Sequence, residues 1–173
     1  GRREVLLGKG KFGIFGDGKE LPQVVMSHFF KDGDYRSGYY RDQTLLMSQN
    51  LLSAREIFAA VYGHPDKLYE KMSGGRQMAG HFLTNTIDEN NNWIDQTSQK
   101  NHISDISPTA SQMSRLVGLC LASKIYRNNS ISGSEKFSKK GHEVGWGTIG
   151  NPSTSQGIFF EAVNACGVLQ IPT

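Results

Sequence analysis

The stretch GTIGNPSTSQGIFFEAVNACG, Gly147 to Gly167, decides how this chain is read. Its lead-in, EVGWGTIG (143–150), favours a β-strand. Small polar residues follow, and then an amphipathic run that reads as a helix. Strand, tight turn and helix N-terminus in that order turn backbone N–H groups toward an anion. No Lys follows the glycines, so the turn is not a Walker loop. A strand that feeds a helix, in a chain otherwise mostly helical, points to part of an α/β domain.

The rest of the composition narrows the class. At 173 residues the chain is long enough for one domain with a proper core. Apolar residues make up 37% and charged residues 20%, the balance of a soluble globular protein. The net charge of +3 is spread out, and its one short basic cluster is KFSKKGH (136–142). That lacks the concentrated basic face of a nucleic-acid binder. No apolar run approaches a membrane span. Cys120 and Cys166 each sit in an apolar helical context and read as buried free thiols, so a cytoplasmic location is expected. The chain opens at Gly1 without Met and stops on LQIPT, which reads as a strand just starting. The expectation is one partial domain over residues 1–173, cut at its C-terminal end.

Along the chain, Gly8, Gly10 and Gly13 spell G-x-G-x-x-G, but turn signals follow where a dinucleotide fold needs a helix. LPQVVMSHFF (21–30) reads as a helix with Val24, Val25, Phe29 and Phe30 on a buried stripe. DGDYRSG (32–38) reads as a turn, and YYRDQTLLMSQNL (39–51) as a helix with Leu45, Leu46 and Leu51 inward. SAREIFAAVYG (53–63) carries Ser53 as N-cap, Glu56 as capping-box partner and Gly63 as terminator. From Lys71 to Asp105 periodicity dissolves into a long Gly/Asn/Ser/Thr-rich loop with isolated aromatics, a pattern more often functional than idle. SPTASQMSRLVGLCLASKIYR (107–127) is the strongest helix, with Leu116, Val117, Cys120, Leu121 and Ile125 on its apolar face. NNSISGSEKFSKKGH (128–142) reads as a solvated loop or hairpin tip.

Four stretches now carry a resemblance: SGYYRDQT (37–44), GGRQMAGHF (74–82), ISPTASQMSRLVGLCLASK (106–124) and GTIGNPSTSQGIFFEAVNACGVLQIP (147–172). In this order and spacing they resemble the alpha-type half of the thiamine-diphosphate-dependent decarboxylating component of 2-oxo acid dehydrogenase complexes. The likeness extends to the branched-chain-type bacterial version, in which alpha-type and beta-type halves are fused. It implies an α/β fold: the helix-rich N-terminal part of a thiamine-diphosphate-binding fold, its parallel sheet only begun here. It also implies a 2-oxo acid substrate (branched-chain or pyruvate), a beta-type half either fused or separate, a dimer or heterotetramer, and a lipoyl acyltransferase partner.

The resemblance also assigns roles to residues. Tyr40 and Arg41 would lie at the diphosphate, where a guanidinium fork and a phenol suit phosphate oxygens. The bland reading is a helix-start Arg paired with Asp42, with Tyr39 or Tyr40 in the core. His81 would stand near the reacting end of the cofactor as a proton shuttle or a donor to the substrate carboxylate. Its alternative is a loop histidine bonded to backbone, and Phe82 replaces the Tyr many relatives carry. ISPTASQ would embrace the aminopyrimidine ring through Ser107 and Thr109. A potassium ion would take Ile106 and Pro108 by backbone and Ser111 and Gln112 by side chain. Ser107 as N-cap with Pro108 at N1 explains the same residues as plain capping. At Gly150-Asn151 the family places an acid that holds magnesium. Asn151 offers a neutral oxygen there, still of the hard kind magnesium accepts. The family's second magnesium motif and its activating glutamate are not among these residues. Two other readings stay open: a nucleotide-binding domain built on Gly8–Gly13, and a non-catalytic assembly module, to which the Asn151 and Phe82 departures would belong.

Overall fold

A computed structural model describes residues 1–77 and 80–173; Met78 and Ala79, inside GGRQMAGHF, lie outside the described residues. The described residues form two compact units. One comprises Gly1–Phe29 and Tyr40–Phe82, the other Phe30–Tyr39 and Leu83–Thr173.

The first unit is helical: α1 (Arg2–Leu6), α2 (Glu20–Phe29), α3 (Gln43–Ser48) and α4 (Ala54–Tyr62). The capping box on α4 forms as its sequence demands. Ser53 Oγ accepts from the Glu56 N–H, the Glu56 carboxylate takes the Ser53 N–H at 2.8 Å, and Gly63 closes the helix in the left-handed region. Leu46, Leu52 and Ile57 make the core, with Phe15, Leu51, Met72 and Phe82 packed against it.

Two helix expectations need correction. The run 39–51 is helical only from Gln43 to Ser48, so Tyr40 and Arg41 form a turn before the helix. Of the four residues of the expected apolar stripe, Phe30, just past the end of α2, is buried, but Val24 is 37%, Val25 47% and Phe29 62% exposed. The buried residue of α2 is Gln23, whose amide donates to the Arg41 carbonyl and accepts from the Leu45 N–H, each at 3.0 Å. A polar clamp on backbone therefore orients the helix, and hydrophobic periodicity does not.

The second unit is α/β. A parallel three-stranded sheet has the order β2-β1-β3, with β1 (Tyr35–Ser37), β2 (Asn101–Ile103) and β3 (Gly145–Gly147) in register Ser37↔Ile103 and Ser37↔Gly147. Two of these strands overturn the sequence reading, β1 inside the presumed turn 32–38 and β2 inside the presumed loop 71–105. Each is three residues long and carries buried Arg36, Asn101 or His102. Neither alternation nor an apolar run can reveal such a strand.

Helix α5 (Ser111–Asn128) packs on β3 and on α6 (Gly157–Leu169), burying Ala110, Met113, Leu116, Cys120, Ala162 and Ile171 together. Ile125, expected on that face, is 41% exposed. Gly145 makes the close approach possible, since a Cβ there would land on Cys120 Sγ. The thiols of Cys120 and Cys166 are free.

The helix starts later than expected. Ser107 and Pro108 are not its cap and first residue; Ala110 is the N-cap at φ 64°, a turn that tucks Ala110 into the core. The tail LQIPT forms no strand. Gln170 reverses the chain at φ 47°, and one backbone bond, Gly145 N–H to the Pro172 carbonyl at 2.9 Å, reaches β3. Pro172 has no N–H to continue a ladder. Among the described residues no helix is long and apolar enough to cross a membrane.

Candidate functional site

In an open parallel sheet, ligands gather at the carboxyl ends of the strands. Here three of the four stretches start at those ends: Ser37 closes β1, Ile106 lies three residues beyond β2, and Gly147 closes β3. A chain of hydrogen bonds ties them together. Ser37 Oγ donates to the Gln112 carbonyl at 2.8 Å and receives Arg115 Nε–H at 3.0 Å. Gln112 Nε2 donates to the Thr148 carbonyl at 2.8 Å. Gln112 is thus a buried clamp between the first turn of α5 and the exit of β3.

Beyond that exit, Gly150 is buried and caps a 3-10 turn, Asn151–Ser155, which intervenes between strand and α6. The sequence reading had a single tight turn there. The Asn151 carbonyl takes the Thr154 hydroxyl at 2.7 Å, while its side chain is exposed with its amide oxygen uncommitted among the described residues. Ser107, Pro108 and Thr109 are exposed, Ile106 and Ser111 half-buried. The Pro108 carbonyl accepts the Ser111 N–H at 3.1 Å, and the Ile106 N–H reaches the Gly38 carbonyl at 3.3 Å.

A buried charge cluster at the same ends was not legible in the sequence. Arg36, 0% exposed, forms an ion pair with Asp105 and donates to His102 Nδ1 at 3.2 Å. Burial, then the positive charges of Arg36 and Lys100, push His102 down to about 2, so the ring is a neutral acceptor. Burial also lowers Arg115; Asp105 opposes that shift and Arg36 adds to it. Arg36 pairs with Asp105, while Arg115 bonds Ser37 and feels the Asp105 charge without pairing with it. The only advance signal was a charged residue in YRSG, set between presumed turn residues.

In the first unit, Tyr40 and His81 are half-buried with ring centroids 6.2 Å apart, and the Arg41 guanidinium lies 5.9 Å from the Tyr40 ring. Glu70, fully buried and missed by sequence reasoning, shapes the GGRQMAGHF stretch. Its carboxylate accepts from the N–H groups of Met72, Ser73 and Gly75 at 2.8–2.9 Å and from Ser73 Oγ. Burial would raise its pKa, but these bonds outweigh that and hold the carboxyl below its usual range.

The glycine cluster near the N-terminus does not build a nucleotide site. Five-residue α1 precedes it, and the next helix opens only at Glu20. Gly10 is explained by packing, since a Cβ there would meet Val61 Cγ1 at 2.8 Å. Among the described residues no three His, Cys, Asp or Glu side chains cluster as a metal site.

The family model described as dehydrogenase E1 component matches residues 7–173. The 2-oxoisovalerate dehydrogenase subunit alpha of Bacillus subtilis (strain 168) is 28% identical over 167 residues, 95% of this chain. The chain spans 41% of that relative's length.

Proposed function

The chain belongs to the dehydrogenase E1 component family, and from that premise we propose that it supplies part of a thiamine-diphosphate site in a 2-oxo acid dehydrogenase. The observation that carries this reading is the Ser37–Gln112–Thr148 linkage, which holds three of the four family-like stretches at the carboxyl ends of one parallel sheet. The substrate would be a branched-chain 2-oxo acid or pyruvate. The Bacillus relative's name supports the branched-chain choice.

The donor set fits a magnesium diphosphate. The exposed, uncommitted amide oxygen of Asn151 stands at the end of β3, just past buried Gly150, and magnesium accepts such hard neutral oxygens. With no acidic cluster among the described residues to add ligands, the remaining ligands would come from the diphosphate and water. Bound there, thiamine diphosphate would supply the electron sink for decarboxylation. In the first unit, Tyr40 and Arg41 would donate to phosphate oxygens, and His81 would orient the substrate carboxylate or carry a proton. In the second, Ser107 and Thr109 would border the aminopyrimidine. Ile106, Pro108, Ser111 and Gln112 would offer neutral oxygens to a potassium ion. The Gln112 side chain holds Thr148 through its NH₂, which leaves its oxygen for that role. A beta-type half and a lipoyl acyltransferase would complete the system. The exposed Phe160, Val163 and Val168 of α6 support an association surface.

Titration calorimetry of thiamine diphosphate tests the reading. Binding is expected with magnesium and lost in chelator, with ATP and NAD unable to compete. Equal affinity with and without magnesium would overturn the metal-diphosphate assignment.

A further inference from the structure

The order β2-β1-β3 sends the chain from the central strand β1 to one neighbour and then back to the other, so the switch point of the sheet lies between β1 and β3. In such sheets the ligand crevice opens there, outside the carboxyl ends of the two strands, because their connections leave in opposite directions. Helix α5 packs on both β1 and β3. Gln112 spans their carboxyl ends, with its carbonyl on Ser37 and its side chain on Thr148. Arg115, three residues further along α5, reaches the same place. Its Nε–H donates at 3.0 Å to the hydroxyl of Ser37, the last residue of β1.

The rest of the Arg115 guanidinium is uncommitted. Nη2 is buried without a hydrogen-bond partner, while Nη1, also unbonded among the described residues, is not buried. No carboxylate among the described residues pairs with Arg115, since Asp105 is held by Arg36. A half-buried cation in this state has given up hydration without gaining a counter-charge. Packing does not call for it, because α5 makes its core contacts through Met113, Leu116 and Cys120. Ser37 does not call for it either, because a neutral donor satisfies a hydroxyl.

Resting on the thiamine-diphosphate reading above, we propose that Arg115 is a further binding residue of that site, its Nη1 edge taking an anionic oxygen of the bound ligand, from the diphosphate or from the 2-oxo acid carboxylate. A guanidinium suits either source, since both present oxygens that accept charge-assisted bonds. The Ser37 bond holds Nε, so the planar group is oriented before the anion arrives and loses less freedom on binding. The anion supplies the counter-charge that the described residues do not.

Calorimetric titration with magnesium thiamine diphosphate, magnesium pyrophosphate, thiamine and pyruvate tests the proposal, with pyruvate added to the cofactor-saturated protein. The wild-type chain is compared with Arg115→Gln, which keeps a donor for Ser37 and removes the charge. If the diphosphate is the anion, Arg115→Gln should weaken both diphosphate ligands about tenfold or more and leave thiamine unchanged. If the carboxylate is the anion, pyruvate alone should weaken by about that factor. Arg115→Lys keeps the charge and should recover most of the loss. Arg115→Met keeps the apolar stem and serves as the neutral variant should Arg115→Gln not fold. An equal loss for thiamine, or unchanged affinity for all four ligands in a folded neutral variant, would reduce Arg115 to a prop for Ser37 and overturn the proposal. Wild-type protein that binds pyrophosphate but not thiamine diphosphate would overturn the cofactor reading alone, with the pyrophosphate loss in Arg115→Gln still supporting the anion site. Binding of neither would overturn both.

Discussion

Asn151 presents an uncharged oxygen from an exposed side chain, so under the proposed role its variants should diverge. Asn151→Asp adds charge and should preserve or tighten magnesium-dependent cofactor binding. Asn151→Ala removes a ligand and should weaken it about tenfold or more. The measurement is the magnesium midpoint in a cofactor titration, and an Ala variant with the wild-type midpoint would show that this turn does not touch the ion. Glu70 makes the contrasting case. Its carboxylate collects four hydrogen bonds inside its own loop, so Glu70→Ala should cost about 1–3 kcal/mol by leaving buried donors unmet. Chemical denaturation reads this directly. Asn151 drew notice in the sequence only through its place in a family-like stretch, whereas nothing in LYEKMSGG marks Glu70 as the acid the folded loop encloses.

Elements differ in legibility for the same reason. Helix α4 could be read outright because its signals are local: Ser53, Glu56 and Gly63 act within one helix. Ser53→Ala should therefore lower stability by about 1 kcal/mol, and a thermal melt that does not move would show the box to be idle. Strands β1 and β2 were hidden, since three residues with a buried Arg or His carry no periodic signal. The packing of α5 on β3 is legible only in the structure. Gly145→Ala should drive a methyl into Cys120 and cost about 1–3 kcal/mol. Gly145→Ala combined with Cys120→Ala should recover part of that loss, because the second change opens the space the first one fills.

Across the whole molecule, buried titratable groups set the pH range of stability. His102 is held neutral in the fold, so between about 6.5 and about 2 the unfolded chain binds a proton that the native one does not. Stability should start to fall below pH 6.5, before the carboxylates protonate. His102→Gln keeps an acceptor for Arg36 and should flatten that first decline, as followed by denaturant midpoints from pH 7 to 5. Glu70, lowered in the fold, adds its own loss at more acid pH. At the alkaline end burial raises Cys120 from 9.0 to about 11, so its contribution is complete below pH 9 and fades through that window. The sequence by itself determined the family resemblance, the capping of α4, the succession of strand and helix around Gly147–Gly157 and the α/β class, because these rest on local patterns along one segment. Only the tertiary structure decided that Ser37, Gln112 and Thr148 meet, that Arg36 pairs with a buried Asp105, and that Arg115 reaches Ser37. Those pairings join residues tens of positions apart, and burial, which no single segment carries, gives each its charge state and its partner.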